Sequence, residues 1–251
     1  MRRNRTLFPL SKQGPPCLNR TRIPFTMKKA LLIPLLCLLA VPGAQAAAKR
    51  PDLVARVETC EAIIRDFMGD PATAIPQSVL SRAHALIIVN QFKVGFVFGV
   101  KGGYGVILVK KSPGHWSLPV LVAADEASFG LQLGAKSVET VYVITDDATP
   151  RKLFSRRFSV GVDAKAVAGP NQAQTGRDFK PILDTPVLVY TSAKGLYAGA
   201  TIAGGYLARD DDSNFVLYNT QYTLPELLYS DWVQPPSEVQ PLINYIDQIA
   251  P

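Results

Sequence analysis

The stretch that decides the fold is residues 85–111, which read ALIIVNQFKVGFVFGVKGGYGVILVKK. It begins with a mostly β-branched run at residues 86–89, continues with apolar residues two apart from Val94 to Val100, and ends in a second apolar run at residues 106–109. A period of two predicts β-strands, and glycines inside strands predict bends or close approaches of a neighbouring backbone. The sequence therefore predicts a bent antiparallel hairpin at the centre of a sheet.

A helix is predicted immediately before this hairpin, at residues 51–68. Apolar residues recur there at spacings of three and four, behind Pro51 and Asp52 at the amino end. Two interpretations of its apolar stripe stay open, packing on the sheet or lying on a membrane surface. Packing is favoured because three acidic residues share the polar side with Arg56 and Arg65, whereas helices that bind anionic lipid usually present a basic face.

The remaining pattern predicts alternating short helices and strands. Thr149 is predicted to cap a helix that has Pro150 in its first turn, and residues 210–212, three aspartates, are interpreted as a solvated turn. The helix that Thr149 caps is predicted over 151–158. Further helices are predicted at 76–83, 224–229 and 239–249, and further strands at 116–124, 127–133, 138–145, 187–190, 195–203, 205–209 and 214–218. No long crossover helix separates consecutive strands, which predicts antiparallel pairing. The expected fold class is α+β, a bent, glycine-rich antiparallel β-sheet or open barrel covered by a few short helices.

The amino-terminal region has the pattern of an export signal. Residues 27–46 contain two lysines, a short apolar run and a small-x-small cleavage site ending at Ala46. Residues 1–26 are interpreted as an upstream extension from an over-long start, and residues 47–251 as a single domain. We therefore expect cleavage after Ala46 and a periplasmic or secreted protein.

This division changes the charge balance. The full chain has 27 basic and 20 acidic residues, a net charge of +7, but eight of the basic residues and none of the acidic ones precede residue 47. The expected mature part is therefore close to neutral, and a nucleic-acid partner is not expected. Cys60 is its only cysteine, so no intramolecular disulfide forms, and its place on the apolar stripe predicts a buried thiol.

No catalytic or metal-binding pattern is present in the sequence. The only histidines, His84 and His115, lie outside any nucleophile motif, and with so few cysteines they give no metal-ligand spacing. The glycine run at residues 99–105 lacks the helix and the lysine–hydroxyl pair of a phosphate-binding loop. We therefore expect no enzyme activity, no cofactor and no metal.

The strongest local basic cluster lies in the predicted helix 151–158, where cations alternate with apolar residues. A cation near an anionic leaflet contributes about 1 kcal/mol, so four of them with apolar neighbours suit weak attachment to a membrane. A solvated helix face is the alternative. The predicted lipid-binding residues are Arg151, Lys152, Phe154, Arg156 and Arg157, with a second candidate group around the glycine hairpin, Lys93, Lys101, Lys110 and Lys111.

An ordered set of short motifs across residues 52–250 resembles the SYLF domain family. Together with the export signal, it suggests a secreted bacterial member of that family. The set includes Ile75-Pro76-x-x-Val79-Leu80, GFVFGVKGGYG at 95–105, Trp116-Ser117-x-Pro119, Gly130-x-Gln132-x-Gly134 and Tyr190-x-Ser192-x-Lys194-Gly195-Leu196. The resemblance implies a lipid-binding module related to actin-patch proteins, with phosphoinositides or other anionic lipids as ligands. Eukaryotic members also bind actin, which is not expected here because the protein is predicted to be exported.

These observations lead to one expected function. We expect a non-catalytic periplasmic protein that binds anionic membrane phospholipid peripherally, without spanning the bilayer, through a local basic–aromatic patch. An envelope hydrolase, or a structural envelope protein with no lipid specificity, is the alternative.

Overall fold

The structure is a computed structural model that describes residues 48–94, 100–111, 114–126, 136–152, 158–159, 166–168, 185–192 and 206–251. Its strands are β1 (Ala85–Val94), β2 (Val100–Val109), β3 (Val120–Glu126), β4 (Lys136–Ile144), β5 (Phe158–Ser159), β6 (Ala166–Ala168), β7 (Val187–Thr191) and β8 (Tyr206–Arg209). Its helices are α1 (Arg50–Gly69), α2 (Gln77–Leu80), α3 (Ala148–Lys152), α4 (Asp211–Tyr218), α5 (Leu224–Tyr229) and α6 (Gln240–Ile249).

The described strands form one sheet in the order β5-β8-β3-β2-β1-β4-β7-β6. The six strands from β8 to β7 pair antiparallel, which confirms the α+β prediction. β6 pairs parallel with β7, so the prediction of wholly antiparallel pairing is wrong at this edge. Residues 169–186 connect the two strands and are long enough for the crossover that parallel pairing needs. The first and last strands in this order do not pair with each other, so the sheet is open and is not a closed barrel.

The hairpin of β1 and β2 lies at the centre of the sheet, as predicted. Residues 85–89 are at most 1% exposed, and because successive strand residues face opposite sides, both faces of β1 are buried there. A Cβ atom on Gly103 would lie 2.6 Å from the Asn90 carbonyl oxygen, and one on Gly105 would lie even closer to that of Ile88. These two glycines therefore allow a close backbone approach. A close approach of a neighbouring backbone, one of the two roles predicted for glycines inside these strands, is therefore found at Gly103.

Helix α1 packs on the sheet. Its apolar stripe, including Leu53, Val57 and Ile64, is buried, and the helix lies against β1 and β2. The Cys60 thiol is buried and donates to the Ile88 carbonyl oxygen across 3.6 Å, and burial raises the pKa of Cys60 to about 12. The stripe is therefore inside the protein, so packing on the sheet is the correct choice of the two interpretations.

The segment predicted as a strand at 214–218 is helix α4 instead. The Asp210 side chain accepts a hydrogen bond from the Ser213 backbone N–H and caps the helix, and two further aspartates lie in the first turn, where the helix dipole favours negative charge. Asn219 ends the helix in a left-handed conformation, with φ 50°. The three aspartates thus begin a helix rather than form a solvated turn.

Asn214 of α4 extends the hydrogen bonding of β3. Its side-chain oxygen accepts from the Leu121 N–H at 2.8 Å, and its amide nitrogen donates to the Leu121 carbonyl oxygen at 2.9 Å. Asn214 is fully buried. Because β8 pairs with β3 only from Val122 onward, the amide replaces the backbone partner that Leu121 would otherwise lack.

The segment predicted as a helix at 151–158 is not helical at its last residue. α3 ends at Lys152, and Phe158, predicted to be helical, lies in β5. The capping residue is also different, because the Asp146 carboxylate accepts from both the backbone N–H and the hydroxyl of Thr149. Thr149 therefore lies inside the helix, where it is buried. The predicted C-terminal helices are confirmed as α5 and α6.

Candidate functional site

Strand register divides the predicted site residues between two ends of the sheet. At one end, Ala85 lies opposite Val109 and Ile144. Helix α3 follows β4 directly, so we call this the α3 end. At the other, Lys93 lies opposite Lys101 and Lys136. We call this the lysine end. Strands rise about 3.3 Å per residue, so the two ends are roughly 30 Å apart.

The second candidate group of lysines is therefore not one cluster. Lys93 and Lys101 lie at the lysine end, whereas Lys110 and Lys111 follow β2 at the α3 end. The prediction grouped them by their positions beside the glycine run, but an extended strand carries its two ends apart. The strand register also places Lys136, which the sequence analysis missed, at the lysine end. Its backbone position completes a row of three lysine positions across β4, β1 and β2.

The first candidate group begins in α3. Thr149 and Pro150 are buried and hold the helix on the protein, while Arg151 and Lys152 are exposed. The other three members, Phe154, Arg156 and Arg157, lie outside the described residues, so their role stays a prediction.

Arg151 lies over an aromatic ring that the sequence analysis did not consider. Its guanidinium carbon is 5.0 Å from the ring centroid of Tyr229, the last residue of α5. This distance is typical of cation–π interactions. The Tyr229 side chain is 40% exposed. Partial burial and the charge of Asp147 raise its pKa, while Arg151 lowers it, and the phenol is therefore neutral at neutral pH.

Two more exposed aromatic residues lie close to Tyr229 in sequence. Trp232 is 63% exposed and Tyr222 is 37% exposed. Their ring centroids are 5.1 Å apart, with the planes tilted by 50°. We call the set of Arg151, Lys152, Tyr222, Tyr229 and Trp232 the aromatic–cation surface.

Lys111 forms hydrogen bonds with the segment between Tyr229 and Trp232. Its Nζ donates to the Ser230 carbonyl oxygen at 2.6 Å and to the Asp231 carboxylate at 2.7 Å. The hydrogen bond from Lys111 and its charge lower the pKa of Asp231. Arg151 and Lys111 thus reach consecutive residues of one segment, which brings α3, the end of β2 and the segment after α5 together at the α3 end.

Lys110 has a structural role instead. Its Nζ donates to the carbonyl oxygen of Pro251 and lies 6.0 Å from the ring centroid of Trp116. Trp116 is buried, and its Nε1 donates to the Ala250 carbonyl oxygen at 2.9 Å. These contacts fix the C-terminal residues after α6 against β2.

The sequence contained a signal for the missed aromatics. Trp232 lies in a short segment with Asp231, Pro235 and Pro236, a composition typical of a loop rather than of a core element. A tryptophan in such a loop is a candidate for an exposed contact residue. The proximity of Tyr229 and Arg151 could not be read from the sequence, because it depends on how α3 and α5 meet.

Two other kinds of site are absent from the described part of the chain. No group of three or more His, Cys, Asp or Glu side chains in these residues is arranged to hold a metal ion. Among the same residues, no helix has the length and apolar character to cross a membrane. His84 pairs with Asp147 at 2.7 Å, and both side chains are largely exposed.

The comparisons with known proteins agree on one family. Residues 125–249, from the end of β3 to α6, match the family described as Ysc84, Las17-binding protein actin regulator. The chain is 31% identical over 177 residues to the SH3 domain-containing protein PJ696.02 of Schizosaccharomyces pombe, covering 69% of this chain and 41% of that protein. It is 30% identical over 181 residues to LAS seventeen-binding protein 3 of Saccharomyces cerevisiae, covering 70% and 39%.

A human relative extends the similarity beyond fungi. The SH3 domain-containing YSC84-like protein 1 is 22% identical over 191 residues, which cover 74% of this chain and 56% of the human protein. None of these three relatives bears the name of an enzyme. The chain spans about two fifths of the length of the two fungal relatives. The ordered motifs, the family match and these relatives agree, and the chain carries a domain of the Ysc84, or SYLF, family.

Proposed function

We propose that this protein is a non-catalytic, periplasmic member of its family that binds peripherally to membranes containing anionic phospholipid. The observation that carries the proposal is the aromatic–cation surface at the α3 end, where Arg151 lies over Tyr229 and the aromatic rings of Tyr222 and Trp232 are exposed. Cations beside amphipathic rings match the chemistry of a lipid headgroup layer, which is anionic at its surface and apolar beneath.

The charges at this surface favour weak attachment. Arg151 and Lys152 are exposed, and each contributes about 1 kcal/mol near an anionic leaflet. Lys111 adds little, because Asp231 pairs with it. Phe154, Arg156 and Arg157 stay predicted lipid-binding residues, because they lie outside the residues that the structure describes. Lys93 and Lys101 stay a second candidate site at the lysine end.

The location is a separate part of the proposal. It rests on residues 27–46, whose pattern of lysines, apolar run and small residues is typical of an exported protein. N-terminal sequencing of the protein from its native host tests it. A chain that begins at residue 47 in the periplasmic fraction would support it, and a chain with an intact Met1 or Met27 in the cytosol would contradict it.

The relatives suggest a different partner. The family is described as an actin regulator and the yeast relative is named for binding Las17. An exported protein meets neither, so we propose that membrane binding is the property shared with this chain. No contact among the described residues favours the alternative of a hydrolase or of a purely structural envelope protein.

Vesicle sedimentation tests membrane binding directly. The protein is mixed with phosphatidylcholine vesicles, with and without phosphatidylglycerol, at low and at high salt. We expect stronger binding to the anionic vesicles, and a decrease with salt because the Debye length falls from about 10 Å at 0.1 M to about 3 Å at 1 M. Absence of binding to either vesicle at low salt would overturn the proposal.

A further inference from the structure

Trp232 differs sharply from the other tryptophan of this protein. Trp116 is 5% exposed and donates its indole N–H to a carbonyl oxygen, as buried tryptophans usually do. Trp232 is 63% exposed, the highest value among the large apolar side chains that the structure describes. Single exposed apolar residues are ordinary, but this one forms a pair of exposed rings with Tyr222, and Tyr229 lies three residues earlier in the chain.

These rings are held in place by their backbone. The Ser230 N–H donates to the Glu226 carbonyl oxygen at 3.0 Å, and the Trp232 N–H donates to the Ser230 hydroxyl at 3.4 Å. The Glu226 carboxylate in turn accepts from the Thr223 N–H and hydroxyl at the start of α5, and Lys111 holds Ser230 and Asp231 from β2. The rings are therefore presented on a fixed segment, which lowers the entropy lost when they bind.

We propose that Trp232 and Tyr222, with Tyr229 beside them, form an interfacial anchor that inserts into the boundary between lipid headgroups and acyl chains. This inference rests on the proposed membrane binding and names the residues that enter the bilayer. Tryptophan and tyrosine concentrate at that boundary because one part of each ring is apolar and the other can hydrogen-bond to water. Arg151 and Lys152 lie on the same surface, where they contact headgroup phosphates while the rings insert.

A bilayer suits this surface better than a protein partner does. Side chains of this type carry about 200 Å² each, so the three rings together expose roughly 300 Å² at their observed exposures. A stable protein–protein interface buries about 800 Å² on each partner. Insertion of a few rings needs no such area, and the exposed cations beside the rings complement anionic headgroups.

Tryptophan fluorescence tests the inference, because the chain has only two tryptophans and one of them is buried. The probe is a phosphatidylcholine–phosphatidylglycerol vesicle, with and without bromine on the acyl chains. We expect the emission of the wild-type protein to shift to shorter wavelength on vesicles and to be quenched by the brominated lipid. Both effects should disappear in Trp232→Phe, where Trp116 alone emits.

A matched pair of tyrosine variants controls for general loss of apolar surface. Tyr222 is 37% exposed at the aromatic–cation surface, and Tyr206 is 39% exposed at a β8 position opposite Asp125, near the lysine end. We expect Tyr222→Ala combined with Trp232→Ala to weaken vesicle binding at least about tenfold, and Tyr206→Ala to leave it unchanged. Thermal unfolding of each variant verifies that the fold is intact, which the exposure of these residues predicts.

Three results would overturn the inference in distinguishable ways. If vesicles sediment the protein but the Trp232 emission neither shifts nor is quenched, the anchor is wrong and membrane binding stands. If the protein binds no vesicle, the anchor and the proposed function both fail. If sedimentation velocity without lipid shows a dimer that Trp232→Ala dissociates, the surface binds a second copy of the chain instead.

Discussion

The two ends of the sheet carry cations in very different surroundings. At the α3 end, Arg151 lies over Tyr229, and Lys111 is engaged by Ser230 and Asp231. At the lysine end, the backbone positions of Lys93, Lys101 and Lys136 lie opposite one another on three adjacent strands. The comparison teaches that a cation's neighbours, rather than its place in a charge cluster of the sequence, decide what it can bind.

The α3 end also exposes aromatic side chains. Tyr222, Tyr229 and Trp232 are exposed at the α3 end, so this end offers both charge and apolar insertion. The row at the lysine end offers charge, and Lys101 has Glu126 as its other register neighbour. We therefore assign membrane contact to the α3 end.

The largest loss of stability is expected at the glycine that lets β1 and β2 approach closely. Gly105→Val would place a side chain against the Ile88 carbonyl oxygen and 2.9 Å from Cγ2 of Val89. We expect the free energy of unfolding to fall by about 3 kcal/mol, the upper part of the range for overpacking. Denaturant unfolding measures it.

Gly69→Ala is the matched control for this substitution. A Cβ atom there meets nothing within 4 Å, and the residue lies in a helix. It should leave stability unchanged or raise it by up to about 1 kcal/mol. Equal losses in both variants would show that glycine content, rather than the close approach of the two strands, is responsible.

The next effect concerns the link between α4 and the sheet. Asn214→Ala would leave the buried N–H and carbonyl oxygen of Leu121 without their side-chain partner. We expect a loss of about 2 kcal/mol, within the range for unsatisfied buried polar groups. The exposed Asn244→Ala in α6 should change stability by less than about 0.5 kcal/mol. A loss at Asn214 no larger than at Asn244 would mean that the amide does not support β3.

A smaller effect is expected where Lys111 fastens the segment that carries Trp232. Lys111→Met removes the hydrogen bonds to Ser230 and Asp231, and we expect about 1 kcal/mol of lost stability. Vesicle binding should fall as well, because the rings would lose their fixed presentation. Lys49→Met removes the same charge from an exposed position before α1 and serves as control. If both variants bind vesicles equally well, the hydrogen bonds from Lys111 do not contribute to membrane binding.

The sequence predicted the centre of this fold better than its margins. The alternation and glycines of residues 85–111 were sufficient for the β1–β2 hairpin, and the stripe in residues 51–68 was sufficient for α1, because each pattern is local and strongly periodic. The sequence predicts a strand at 214–218, but the Asp210 side chain caps a helix there, a role that the prediction did not include. The parallel β6 depends on a long-range pairing that no local pattern encodes.

The candidate site shows the same limit. Arg151 and Lys152 were identified from their charge, and the structure places both on an exposed surface. Their aromatic neighbours come from α5 and the segment after it, more than seventy residues later in the chain. That neighbourhood is created by tertiary packing. The separation of Lys101 from Lys110, by contrast, follows from the extended strand β2 between them.

Charge reversal at each end, compared in one vesicle-sedimentation experiment, tests the assignment of membrane contact to the α3 end most directly. Arg151→Glu with Lys152→Glu, and Lys101→Glu with Lys136→Glu, change the net charge equally. At about 1 kcal/mol for each basic residue, the α3-end variant should bind anionic vesicles at least about tenfold more weakly than the wild type. The lysine-end variant should bind as the wild type does. A larger loss in the lysine-end variant, with both variants folded, would contradict the assignment and place the membrane at the opposite end of the sheet.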